Sequence, residues 1–150
     1  MLTAKEIMTA PPITLAPDTD IVAAGRLLLE KKINGMPVVD ENGTLVGVIC
    51  QSDLVAQQKK LVMPSVFTLL DGMIPLSSQA DMEKEIRKMS AVDVSQAMTT
   101  PPVSVGLQTP IDEVASMMVD RKLYTLPVVD GGKVVGVIGK EDILKTLVRD

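Results

Sequence analysis

The apolar positions of this chain occur in the same order twice. Residues 8–54 realign on residues 98–143 with one loop residue deleted. Each copy has a short apolar extended run, a segment with helical spacing, two β-rich runs around a turn, and a second amphipathic segment. A repeated unit of about 46 residues usually buries its apolar face against a neighbour. The pattern therefore predicts two similar halves of one folded body.

Helical spacing of apolar residues predicts a helix over residues 20–32 and an equivalent helix over residues 110–122. The first apolar stripe comprises Ile21, Ala24, Gly25, Leu28 and Leu29. The second comprises Ile111, Val114, Ala115, Met118 and Val119. Because the stripes occupy equivalent positions, we expect both helices to bury the same face.

Two β-rich runs follow each helix and predict a hairpin. Residues 36–40 and 44–50 are joined by Glu-Asn-Gly, and residues 126–130 and 133–139 are joined by Gly-Gly, which are strong turn signals. A second helix is expected to start near Ser52 and near Glu141. In the later copy, its apolar residues lie four apart and should dock on the sheet; these are Ile143, Leu144, Leu147 and Val148.

A short capped turn precedes each copy. Thr3 with Glu6 and Asp93 with Gln96 have the spacing of a capping box, and two prolines after each turn prevent the helix from continuing. Between the copies, Ser78 is expected to cap a short helix. We therefore predict a first repeat over 1–56, an insert with a short helix over 57–92, and a second repeat over 93–150.

Composition and charge argue against nucleic-acid binding. The 150 residues carry a net charge of -4, with a pI near 4.8, whereas a nucleic-acid surface normally needs clustered Lys and Arg. Phe67 and Tyr124 are the only aromatic residues that could stack on bases. We expect no nucleic-acid partner.

The chain contains no histidine and one cysteine, Cys50. Without histidine it cannot supply a Ser-His or Cys-His dyad or an imidazole metal site, so we do not expect an enzyme. A single cysteine excludes an internal disulfide and suits a reducing compartment. No apolar run approaches the roughly 18 residues of a membrane span. These features predict a cytoplasmic protein without membrane insertion.

Two motifs recur in these elements: hydrophobic-Pro-Val-Val-Asp at residues 36–40 and 126–130, and Gly-Val-Ile-x-x-x-Asp at 47–53 and 136–142. With the order strand, helix, strand, strand, helix, the chain resembles a tandem pair of CBS domains, a Bateman module. The resemblance implies an α/β (α+β) fold, in which two βαββα repeats pack as a pseudo-two-fold pair. It also implies a regulatory module without an obligatory cofactor, whose clefts can hold AMP, ADP, ATP or S-adenosylmethionine.

In CBS domains, a Gly-hydrophobic-x-Thr/Ser-x-x-Asp segment contacts ribose and phosphate. The resemblance assigns this role to Asp53 and Asp142, although Cys50 and Gly139 replace the hydroxyl residue. A carboxylate can accept two hydrogen bonds from a ribose diol. An acidic residue in the first turn of a helix is equally favoured by the helix dipole, so the residues alone leave both roles open.

The resemblance places the base next to the first extended segment and the residues that lead into the Pro-Val-Val strand. Hydroxyls are offered there by Thr14 and Ser104, and apolar surface by Met36, Pro37, Tyr124, Leu126 and Pro127. At the end of the second predicted helix, Arg121 could contact a phosphate. A basic residue there is also expected from the helix dipole.

Two functions remain open from the sequence. The first is a stand-alone regulatory module that senses an adenosine nucleotide, forms a homodimer and acts in trans on an effector protein of unknown identity. The second is an interaction or assembly protein with vestigial clefts, an alternative favoured by the replacements at Cys50 and Gly139.

Overall fold

The structure is a computed structural model that describes residues 1–58 and 92–148. The first repeat contains α1 (Ala4–Ile7), α2 (Ile21–Lys31), β1 (Gly35–Val39), β2 (Leu45–Cys50) and helix α3 (51–58). The second contains α4 (Val94–Ala97), β3 (Val105–Gly106), α5 (Ile111–Arg121), β4 (Thr125–Asp130), β5 (Lys133–Gly139) and α6 (Lys140–Leu147). The helix predicted near Ser78 lies outside the described residues. Within them, no helix is long and apolar enough to cross a bilayer.

Both repeats have the predicted βαββα order, which confirms the mixed α+β fold. Strands β1 and β2 pair antiparallel, as do β4 and β5. Strand β3 joins β4 in parallel, and its counterpart in the first repeat is a single parallel bridge between Leu15 and Val38. The capping boxes of α1 and α4 are present as predicted.

The short helix α1 docks on the second repeat, although it precedes the first in sequence. Ala4 and Ile7 are buried in the core formed by α5, β4 and β5. The Ala4 amide donates to the Thr109 carbonyl at 2.8 Å, and the Thr9 amide donates to the Val137 carbonyl at 2.8 Å. The leading segment of the chain therefore completes the core of the second repeat.

Helix α4 repeats this arrangement in the opposite direction. Val94 is fully buried in the core of the first repeat. The Val94 amide donates to the Thr19 carbonyl at 2.8 Å, and the Thr99 amide donates to the Val48 carbonyl at 2.9 Å. Each repeat thus receives one turn of helix from the other, and neither core is complete within a single repeat.

A methionine that follows each short helix lies directly over a glycine of the opposite hairpin. A Cβ atom added at Gly136 would lie 2.8 Å from Cγ of Met8, and one added at Gly47 would lie 2.9 Å from Cγ of Met98. Both distances are shorter than van der Waals contact. Glycine at these two positions lets the exchanged segment approach the strand.

The predicted buried stripes are wrong at their last position. Leu29 and Val119 are 76% and 74% exposed, whereas the preceding Leu28 and Met118 are buried. Consecutive residues of a helix point about 100° apart, so the sheet covers only one residue of each consecutive pair.

The docking predicted for the last helix is also wrong except at Ile143, which packs against the core. The exposed residues are Leu144, Leu147 and Val148.

Substitution of Gly136 by alanine tests the exchange of the leading segments. We expect the free energy of unfolding to fall by about 1–2 kcal/mol, because the new methyl group overpacks the Met8 side chain. Urea unfolding of Gly136→Ala, Met8→Ala and the double variant measures their coupling. The double variant should lose less stability than the sum of the single variants. Additive losses would contradict contact between Met8 and Gly136.

Candidate functional site

The two repeats meet at equivalent positions, the first residues of β1 and β4. A Cβ atom added at Gly35 would lie 2.9 Å from Oγ1 of Thr125, and Asn34 Nδ2 donates to the same oxygen at 3.4 Å. This close approach marks the pseudo-two-fold axis. One cleft opens on each side of it, and we name the clefts after their carboxylates, Asp53 and Asp142.

The Asp142 cleft is the smaller, with a volume of about 170 Å³. Its walls come from the leading segment and the α2–β1 connection on one side, and from the β5–α6 junction on the other. The polar residues among its described lining are Thr9, Lys32, Asn34, Tyr124, Thr125, Lys140, Glu141 and Asp142.

The Asp53 cleft is the larger, with a volume of about 670 Å³. The equivalent elements form it with the repeats interchanged: the segment after α4, the α5–β4 connection, and the β2–α3 junction. The polar residues among its described lining are Asn34, Cys50, Gln51, Ser52, Asp53, Thr99, Lys122, Tyr124, Thr125 and Lys140. Asn34, Tyr124, Thr125 and Lys140 therefore border both clefts.

Both carboxylates make the same pair of hydrogen bonds. Asp53 accepts the Cys50 amide at 2.8 Å and the Thr99 hydroxyl at 3.2 Å. Asp142 accepts the Gly139 amide at 2.8 Å and the Thr9 hydroxyl at 3.2 Å. Each carboxylate thus caps its own helix and is tied to the segment exchanged from the other repeat. A carboxylate has about four acceptor sites, which leaves capacity for a further donor.

A lysine at the end of each first helix has an unusual backbone conformation. Lys32 and Lys122 have φ values of 53° and 54° in the left-handed region, which glycine adopts freely and which is uncommon for residues other than asparagine and aspartate. Lys32 lines the Asp142 cleft and Lys122 lines the Asp53 cleft. Strained backbone of this kind, costing about 1–3 kcal/mol, concentrates at functional sites.

Tyr124 and Lys140 form the described wall that separates the clefts. The Lys140 ammonium lies 5.5 Å from the centroid of the Tyr124 ring, a distance at which the cation is attracted to the face of the ring. Tyr124 is 46% exposed, so part of its apolar surface is open to a flat ligand.

The structure brings some of the predicted site residues together and separates others. Asp53 and Cys50 line one cleft, Asp142 and Gly139 line the other, and Tyr124 borders both. The strand residues belong instead to the core; these are Met36, Pro37, Leu126 and Pro127. Three further predicted residues line neither cleft, and these are Thr14, Ser104 and Arg121.

Sequence reasoning missed the two threonines and, of the two cations at the end of the second predicted helix, selected Arg121 instead of Lys122. Thr9 and Thr99 end the Met-Thr pair that recurs in both copies, and this repetition was the available signal. Lys122 lines the Asp53 cleft, whereas the neighbouring Arg121 does not. Lys122 follows the last helical residue and has the left-handed conformation, which distinguishes it from Arg121. Without a glycine, no local sequence pattern predicts such a turn.

The thiol of Cys50 lies in the wall of the Asp53 cleft. Burial raises its pKa from 9.0 to about 11, and the negative charge of Asp53 adds to the effect, against a hydrogen bond with Thr125 that lowers it. The thiol is therefore protonated at neutral pH. A protonated thiol is a poor nucleophile, which is consistent with a role in lining the cleft.

The chain belongs to the CBS domain family. The family model for the CBS domain matches residues 4–60 and 93–149. An uncharacterized protein of Methanocaldococcus jannaschii is 29% identical over 96% of this chain and 90% of its own length. The chloroplastic protein CBSX2 of Arabidopsis thaliana is 30% identical over 89% of this chain, which spans 57% of that relative.

Solved structures of CBS pairs share the fold. CBSX2 in complex with AMP superimposes with a TM-score of 0.74 at 28% identity, covering 99% of this chain and 97% of that chain. The CBS domain pair of protein MJ0100, in complex with 5′-methylthioadenosine and S-adenosyl-L-methionine, gives a TM-score of 0.71 at 26% identity, covering 98% and 96%. The pairing of two CBS repeats predicted from sequence is therefore confirmed.

The raised pKa of Cys50 predicts a loss of stability at alkaline pH. The folded pKa of about 11 exceeds the unfolded value of 9.0, so the folded state holds the proton more tightly. This contribution is complete below pH 9 and is lost as the pH rises towards 11. In urea unfolding, the wild type should lose stability more steeply than Cys50→Ser across this range. Parallel pH profiles would show that burial does not perturb the thiol.

Proposed function

We propose that this chain is a regulatory module that binds an adenosine nucleotide between its CBS repeats and passes its state to an effector protein in trans. The observation that carries the proposal is the Asp53 cleft. It combines a carboxylate, a half-exposed aromatic ring and two lysines, Lys122 and Lys140. These groups match the ribose, base and phosphates of a nucleotide.

The volume of the cleft agrees with this assignment. Ligand sites for small molecules usually enclose about 300–1,000 Å³, and the Asp53 cleft has about 670 Å³. The similar CBS pairs whose structures contain AMP, 5′-methylthioadenosine and S-adenosyl-L-methionine support an adenosine compound as the ligand. We propose no catalytic step and no obligatory cofactor.

The hydrogen bond between Asp53 and Thr99 suggests how binding is transmitted. A ribose diol that donates to the free acceptor positions of Asp53 shares the carboxylate with the Thr99 hydroxyl. Thr99 belongs to the segment that docks on the other repeat through Val48. Ligand binding can shift a conformational equilibrium only by its differential affinity for the two states. If the bond between Thr99 and Asp53 is kept in one state and lost in the other, the ligand will bind the two states with different affinities. The effector would then recognise the resulting change in the orientation of the repeats.

A reducing compartment suits this module, because its one cysteine faces the ligand cleft instead of a disulfide partner. We therefore propose that it acts in the cytoplasm.

A ligand panel tests the proposed function. Melting temperatures are measured with AMP, ADP, ATP, S-adenosylmethionine, 5′-methylthioadenosine and GTP, for the wild type and for Asp53→Asn. A ligand at a hundred times its dissociation constant stabilises the protein by about 2.7 kcal/mol, which raises the melting temperature by several degrees. We expect a rise with at least one adenosine compound that Asp53→Asn reduces.

Asparagine is the appropriate substitution because its carbonyl can still accept the Cys50 amide and cap α3, whereas alanine would remove the cap. Asp142→Asn is the matched control, since Asp142 makes the equivalent two bonds in the other cleft. No response to any adenosine compound at millimolar concentration would favour an assembly protein with unused clefts.

We also propose that the chain forms a homodimer through the exposed sides of α2 and α5. Leu29 and Val119 occupy equivalent positions of these helices and are both more than 70% exposed. A two-fold interface joins the same surface patch of two copies, and these aliphatic side chains would be covered in such a contact.

Sedimentation velocity tests the dimer. The wild type should sediment as a dimer, and the double variant Leu29→Glu/Val119→Glu as a monomer, because two carboxylates per chain would be buried without partners. The control is Asn42→Asp/Gln108→Glu, two exposed turn positions outside α2 and α5 with the same added charge. Dissociation in both double variants would point to net charge instead of the proposed surface.

A further inference from the structure

The two clefts have equivalent backbones but different charges. Among the described residues that line it, the Asp142 cleft has two lysines, Lys32 and Lys140, opposed by two carboxylates, Glu141 and Asp142. Among its described lining residues, the Asp53 cleft has two lysines opposed by one carboxylate. The difference arises because Ser52 occupies the position equivalent to Glu141.

The position of this difference determines what each cleft can accept. Ser52 and Glu141 immediately precede the carboxylates Asp53 and Asp142 in sequence, at the first turn of α3 and α6. Glu141 lines the Asp142 cleft together with Lys140, and its negative charge opposes the binding of a phosphate there. In the Asp53 cleft the same place offers a hydroxyl, which can donate a hydrogen bond to a phosphate oxygen.

Size acts in the same direction as charge. The Asp142 cleft, at about 170 Å³, lies below the usual range of about 300–1,000 Å³ for ligand sites. The Asp53 cleft, at about 670 Å³, lies within it. Steric space and electrostatics therefore both favour the same cleft for an anionic ligand.

We propose that the clefts are specialised, and this inference rests on the proposed function. The Asp53 cleft binds one phosphorylated adenosine nucleotide per chain, with Lys122 and Lys140 at the phosphates. The Asp142 cleft does not accept the phosphates, because Glu141 neutralises its lysines. Ser52 is accordingly the position that determines selectivity for phosphorylated over uncharged adenosine compounds.

Calorimetric titration of the full chain with adenosine, AMP and ATP, in the absence of divalent cations, tests this assignment. The wild type should bind one AMP per chain, and more tightly than adenosine. Ser52→Glu should weaken AMP binding about tenfold, since it places a like charge beside the phosphate, and should change adenosine affinity by less than about twofold. Gln108→Glu, at an exposed turn position outside both clefts, controls for the added net charge.

A second pair of variants identifies the cleft independently of Ser52. Lys122 and Lys32 have the same left-handed conformation in the two clefts, so Lys122→Gln and Lys32→Gln are matched. Loss of a charged hydrogen bond to phosphate corresponds to about a tenfold weaker affinity. Lys122→Gln should therefore weaken AMP binding more than Lys32→Gln does.

Three results would overturn the specialisation while leaving nucleotide binding intact. These are two AMP molecules per chain, a larger effect of Lys32→Gln than of Lys122→Gln, or an equal loss of adenosine and AMP affinity in Ser52→Glu. The proposed function itself would be overturned if calorimetry detected no binding of adenosine, AMP or ATP and no compound in the ligand panel changed the melting temperature. The two failures are therefore distinguishable.

Discussion

The exchange of short helices between the repeats is the interaction on which the rest of the structure depends. Helix α1 closes the core of the second repeat and α4 closes that of the first. Two glycines, Gly136 and Gly47, admit the methionine that follows each helix. The same docking sets Thr9 and Thr99 beside the carboxylates of the opposite repeats. The exchanged segments therefore determine both the core packing and the cleft geometry. A substitution that shifts one of these segments should alter both.

The pseudo-two-fold axis explains why a duplicated unit has two clefts and why they can diverge. Close approach of Gly35 and Thr125 at the axis fixes the distance between the repeats, and each cleft then takes one wall from each repeat. Ligand sites commonly form at such interfaces between units. Each position occurs twice, so a difference between the copies can change one cleft and leave the backbone of the other intact. Ser52 in the first copy and Glu141 in the second are such a difference.

The repeat and its elements could be predicted from the sequence because periodic apolar residues and turn dipeptides act locally. The predicted strand over residues 133–139 matches β5, and the predicted helices differ from α2 and α5 by one residue at each end. The exchange could not be predicted, since a four-residue turn such as Ala4–Ile7 carries no signal for the repeat it packs on. Met36 and Leu126 lie in the core instead of the clefts. The sequence could not show this, because alternation along a strand does not identify which face meets a ligand.

The wall shared by the clefts has a thermodynamic consequence. Tyr124 and Lys140 border both cavities and contact each other through the ring and the ammonium. An occupant of one cavity that draws Lys140 to itself alters the wall presented to the other. Such linkage is reciprocal: the factor by which one occupant changes the affinity for the second equals the factor for the reverse. Any two occupants of the clefts would therefore be coupled through one lysine and one aromatic ring.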